Sequence, residues 1–100
     1  NGNCVLGREP EGAEAVRRGA TPIRLTDRAG GLSRAHAEVV LIEWDVAVVD
    51  LGSTNGTHVR LPHQPDWRTL TPRQPFVLVP GAEISIGGRT ITFDSPHAHL

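Results

Sequence analysis

The chain has no lysine and no methionine, a single cysteine, and a net charge of −1. Each shortage closes off a class of function. One thiol, Cys4, cannot build a disulfide framework or a cysteine metal site, and its apolar surroundings mark it as a small core residue, not a reactive thiol. A near-neutral chain offers no basic footprint for nucleic acid, whose phosphates demand one. No apolar run approaches the roughly 20 residues of a membrane-spanning helix, so no membrane insertion is expected of this domain. The absence of Met, with Asn1 as the first residue, leads us to expect a piece of a longer chain; a missing targeting segment then says little about the parent. All ten basic residues are Arg. A GC-rich bacterial genome accounts for most of that bias. For one or two members the functional reading holds, because the planar guanidinium is the better fork for phosphate.

What is present reads as strands. One hundred residues make one domain with one modest core. Residues 37–42 and 46–51 are rich in Val and Ile, which suit a pleated, half-buried surface, with Glu43-Trp44-Asp45 as the hairpin turn between them. Shorter strands are expected at 4–6, 23–25, 57–61, 76–79, 83–86 and 90–93. Asn55-Gly56, Pro80-Gly81 and Gly87-Gly88 supply turns. Many short strands with turns between them imply an all-β sandwich or barrel. Residues 11–18 are read as a mobile loop with room for one helical turn. Residues 61–75 hold four prolines and form another long connection, and 95–100 look like a tail. Trp44, Trp67 and Phe76 are candidates for an apolar patch, with at least one Trp expected in the core. No internal repeat is visible.

Three clusters carry chemistry: Gly7-Arg8, Ser33-Arg34-Ala35-His36, and Gly52-Ser53-Thr54-Asn55-Gly56-Thr57. Each lies at the end of an expected strand, where a rigid sheet can aim a loop. Together they offer guanidinium, hydroxyl, amide and glycine-freed backbone donors, an inventory for an oxyanion. Singly, each has a plainer explanation: a hairpin turn, a surface charge, a turn-capping Ser. An enzyme is not expected. Ser33, His36 and Asp50 are the residue types of a catalytic triad, but no Gly-x-Ser-x-Gly elbow is present. Residues 52–57 lack the Lys and spacing of a Walker loop. His58, His63, His97 and His99 show no closed metal-ligand pattern, so no metal and no cofactor are expected.

In their joint order these motifs resemble the forkhead-associated (FHA) domain, a phosphothreonine-reading β-sandwich. Gly7-Arg8, Ser33-x-x-His36 and Ser53-x-Asn55-Gly56 match its pattern, as does the closing hairpin from Gly81 to Gly87, and the likeness runs over residues 6–93. It implies a two-sheet sandwich over 1–94, with the ligand site on loops at one end. It implies that Arg8, Ser33, Arg34 and Thr54 face phosphate. Asn55 would bond the main chain of the bound peptide, and Gly7, His36 and Gly56 would support the loops. Arg28, with the flexible 29–31, is the candidate for reading a flanking peptide residue. The function implied is a phosphothreonine-dependent protein–protein interaction module. Its partner is a phosphothreonine-containing protein, and a Ser/Thr kinase shares its compartment. The expected location is cytoplasmic, with a parent that can be membrane-attached. The alternative is a phosphate-independent FHA-like module that binds a partner or dimerises. Two departures stand out. The family normally has two strands before the Gly-Arg, and little chain precedes Gly7 here. An open sheet edge would invite pairing or swapping. Extra length also separates Arg8 from Ser33, most of it in 9–21.

Overall fold

Alternation of buried and exposed side chains decides the strands. The computed structural model describes residues 2–28 and 30–94; the expected tail, with His97 and His99, lies outside the described residues. In chain order the strands are β1 (Cys4–Gly7), β2 (Thr21–Arg24), β3 (Ala37–Ile42), β4 (Asp45–Asp50), β5 (Thr57–Arg60), β6 (Arg68–Thr69), β7 (Phe76–Leu78), β8 (Glu83–Ile86) and β9 (Arg89–Thr92). Along β5, Thr57 and Val59 are buried while His58 and Arg60 point outward. Along β8, Ile84 and Ile86 are buried while Glu83 and Ser85 face out. That period of two is the signature of a sheet with one wet face.

The strands form two sheets, ordered β2-β1-β3-β4-β7 and β6-β5-β8-β9. Their inner faces meet on a core of Leu6, Val48, Val59, Leu78, Ile84 and Ile86, with Phe76 and Phe93 packed against it. Each such aliphatic side chain contributes about 1.5–3 kcal/mol on burial. The β-sandwich expected from the sequence is therefore the fold. Gly87 and Gly88, at φ 55° and 78°, close the β8–β9 hairpin in the primed geometry that matches strand twist.

The extra length between Arg8 and Ser33 has a structural use. β1 and β2 pair in parallel, from Cys4 opposite Thr21 to Gly7 opposite Arg24. A parallel pair needs a crossover, and residues 8–20 supply it through a 3₁₀ turn (Pro10–Gly12) and a short helix α1 (Glu14–Arg17). Pro10 and Ala20 are buried at its two ends, whereas α1 buries nothing. Among the described residues no helix is long and apolar enough to cross a membrane.

The tryptophans depart from expectation, since neither is in the core. Trp44 is 98 % exposed at the tip of the β3–β4 hairpin, where no layer covers it. Trp67 is 40 % exposed, and the Arg60 guanidinium lies 5.0 Å from its ring centroid, a cation–π contact. Aliphatic side chains already fill the space between the sheets. On one side of the sandwich β2 and β9 are both edge strands among the described residues. Between them lies an apolar recess of about 490 Å³, lined by residues that include Cys4, Leu6, Ile23, Leu25, Val39, Ile91 and Phe93.

Candidate functional site

The site begins with a close approach of two backbones. Beyond β1 the chain runs against residues 33–36: Arg8 N–H donates to Ser33 O, Glu9 N–H to Arg34 O, and His36 N–H to Leu6 O. At Gly7 the strands are so near that a Cβ would stand 1.8 Å from Arg34 O. Only glycine fits, and the fit sets Arg8 beside Ser33. Gly7→Ala must push the strands apart; we expect a loss of about 2–3 kcal/mol in urea-induced unfolding.

His36 ties the loops together. It is fully buried. Its Nδ1 accepts the Ser33 N–H at 3.1 Å, so the proton sits on Nε2, which donates to Gly56 O at 2.7 Å. Both ring nitrogens are therefore occupied, and the imidazole is not aimed at the Ser33 hydroxyl. The Asp50 carboxylate makes no hydrogen bond to the ring either. Ser33, His36 and Asp50 consequently form no catalytic relay, which requires a base bonded to its nucleophile.

Asp50 instead organises the 52–57 turn. Its side chain accepts the Ser53 and Thr57 hydroxyls at 2.5 and 2.6 Å, and the Gly52 and Ser53 N–H groups at 3.1 and 3.2 Å. Ser53 Oγ also accepts the Gly56 N–H at 3.0 Å. Burial alone would raise the Asp50 pKa, but the hydrogen bonds outweigh it and hold the carboxyl below its ordinary value of 3.8. A depressed folded-state pKa gives stability that is present above the unfolded value and lost as pH falls through the folded one. The destabilisation caused by Asp50→Asn should therefore be largest at neutral pH. It should shrink below about pH 4, which urea midpoints measured from pH 7 to pH 3 would read. No part in holding this turn was expected of Asp50 or Ser53, although an Asp two residues before a Gly-Ser pair is an Asx-turn signal.

Above these supports lies a recess of about 420 Å³ lined by Arg8, Ser33, Arg34, Thr54 and Asn55, together with Gly30, Gly31, Leu32 and Ala35. All five residues expected to meet the ligand converge there, and among the described residues no acid lines it. Arg8 Nε donates to Leu32 O at 3.1 Å, and Nη1 stands 3.7 Å from Glu9 Oε1. One edge of the fork is anchored and the side chain remains 41 % exposed. Ser33 Oγ accepts the Thr54 N–H at 3.0 Å, leaving its own hydroxyl proton to donate. Asn55 Nδ2 donates to Gly31 O at 3.0 Å, so its amide bridges two loops rather than standing open. Gly56, at φ 85°, reverses the chain beneath. Arg28 is exposed and does not line the recess; Ala29 beside it lies outside the described residues.

A family model described as the FHA domain matches residues 4–87. Similar solved structures include an FHA domain from a study of phosphothreonine-dependent FHA domain interactions. It is 29 % identical, with a TM-score of 0.60 over 92 % of this chain and 75 % of that one. A second is the FhaA FHA domain complexed with the intracellular domain of Rv3910, also 29 % identical with TM-score 0.60, over 92 % and 79 % of the two chains. A third, the FHA domain of the CT664 protein from Chlamydia trachomatis, shares the fold at 23 % identity and TM-score 0.64, over 89 % and 71 %. No curated protein matches the chain.

Proposed function

The chain belongs to the FHA domain family, and on that footing we propose that it is a protein-interaction module that binds a phosphothreonine-containing segment of a partner. The carrying observation is the convergence of Arg8, Arg34, Ser33 and Thr54 on one recess that no acid among the described residues lines. A phosphate dianion there meets the Nη2 end of the partly exposed Arg8 guanidinium, the Ser33 hydroxyl proton and the exposed Arg34. Asn55 exchanges its bond to Gly31 O for one to the peptide main chain. That exchange is nearly even, because the amide is exposed and keeps a partner throughout. The solved relative studied for phosphothreonine-dependent interactions supports this choice of ligand by likeness. The γ-methyl of phosphothreonine gives a preference over phosphoserine worth about 1–3 kcal/mol. The reading assigns no catalytic residue and no cofactor. It places the domain in the cytoplasm beside a Ser/Thr kinase.

Calorimetric titration with a degenerate phosphothreonine peptide library, its phosphoserine counterpart and the unphosphorylated peptides tests the reading. We expect a Kd near micromolar, about −8 kcal/mol, for the phosphothreonine set. Equal binding of the unphosphorylated peptides would sink it. A second reading, phosphate-independent association through the open edges, is favoured by the apolar recess between β2 and β9. It expects partner binding that survives phosphatase treatment, or a dimer of this chain in light scattering.

A further inference from the structure

The first sheet is apolar on both faces. Val39, Val46, Val48 and Leu78 point into the core or pack against it. Their neighbours along the strands point the other way, and in register they read Val40, Ala47 and Val77 across β3, β4 and β7. Ile42 carries this outer strip toward the hairpin tip, and Val79 carries it past the end of β7. Ile42, Val77 and Val79 are all exposed. The crossover between β1 and β2 packs over β1, on the far side of the sheet, and leaves the strip uncovered.

The strip runs from a knob to a hole. At the hairpin tip Trp44 stands in solvent between Glu43 and Asp45, whose carboxylates have no partner among the described residues. At the other end, where β3 begins and β4 finishes, a cleft of about 440 Å³ lies between α1 and the sheet. Asn3, Arg18, Ala35, Glu38, Leu51 and Arg73 are among the residues that line it. Arg18 is paired with Glu14. The half-buried Glu38 and the exposed Arg73 have no side-chain partner among the described residues.

We propose that this face is a dimerisation surface for a second copy of the chain, with the two strips packed antiparallel and each Trp44 seated in the other copy's cleft. The arrangement is isologous, so one contact made twice closes it. With the twofold axis on the Val40–Ala47–Val77 row, the register matches. Trp44 lies four residues beyond Val40, about 13 Å along the strand, and Ala35 and Glu38 lie before it on the other side. The indole ring meets Ala35 and Leu51, and its N–H has a ready acceptor in Glu38. Glu43 and Asp45 of one copy face Arg73 of the other. A parallel alignment sets those acids against their own copies, so charge selects the antiparallel one.

Area makes the same point. Three strands about 20 Å long give a strip of roughly 300 Å² per copy. That alone falls short of the roughly 1,200–2,000 Å² total of a specific interface. Two seated tryptophans, each burying about 150–250 Å² and a like area of cleft wall, bring the total into that range. The surface is separate from the open edges of β2 and β9. The cleft shares only Ala35 with the phosphate recess among the described residues, so the inference does not depend on what the recess binds.

Sedimentation equilibrium from micromolar to millimolar protein tests it. The wild-type chain should pass from the monomer mass to twice that mass. Trp44→Ala should weaken the dimer at least about tenfold, as loss of a central aromatic anchor does. Arg73→Gln should weaken it about fivefold, the effect of losing a partly exposed charge pair. Both side chains are exposed, so circular dichroism should show both variants folded. A wild-type chain that stays monomeric throughout overturns the inference. So does a dimer that either variant leaves as tight as the wild type; if neither variant weakens it, the association belongs to the open edges instead.

Discussion

Arg8→Ala is expected to abolish measurable phosphopeptide binding. Truncating the charged partner of a phosphate typically costs about 2–5 kcal/mol, which moves a micromolar Kd toward millimolar or beyond. Arg34 cannot substitute, because its side chain makes no hydrogen bond among the described residues to fix its direction. Arg8 is pre-aimed by the bond from Nε to Leu32 O and by its backbone N–H to Ser33 O. Arg8→Lys should also fail to restore affinity. A lysine presents a compact point charge in place of a planar fork, so the pre-aimed guanidinium contact with phosphate is lost. The side chain is partly exposed, so the fold should be unaffected. Calorimetry of both variants, with thermal unfolding as the control, checks this; an unchanged Kd for Arg8→Ala would remove Arg8 from the site.

His36→Ala should be the costliest single change to stability among the loop residues. It opens a cavity at a fully buried position and strands the Ser33 N–H and the Gly56 carbonyl without partners. Large-to-small changes of that kind, with the unmet polar groups added, cost about 3–5 kcal/mol. Binding should fall as well, because the imidazole fixes the distance between the Ser33 loop and the Thr54-Asn55 turn. The midpoint of urea unfolding reads the first effect and calorimetry the second. A variant with wild-type stability would mean that water replaces the ring without loss.

The legible parts of the fold are those governed by local rules. β3 and β8 fall at the expected residues because Val and Ile runs between strong turns leave few alternatives. The converging residues were readable because glycine, arginine, serine and asparagine clusters sit at strand ends. What stayed hidden depends on tertiary neighbours. β6 spans two residues and exists only because Thr69 and Arg68 lie beside β5. α1 buries nothing, so no apolar stripe announces it. The exposure of Trp44 follows from its place at a hairpin tip, which composition does not report. The same holds for Asp50, whose role appears only when Ser53 and Thr57 fold back over it, and for His58, whose partner Thr69 comes from another strand.

The ties among Arg8, Ser33, Arg34, His36 and Gly56 join segments far apart in sequence. An unfolded chain therefore has no recess, and a ligand of the recess binds the native state alone. By mass action such a ligand stabilises the domain by about 2.7 kcal/mol at a free concentration one hundred times its Kd. On the proposed reading, phosphorylation of the partner would do more than recruit the module: it would also slow the domain's loss to proteolysis, so that the bound and phosphorylated pair protects itself.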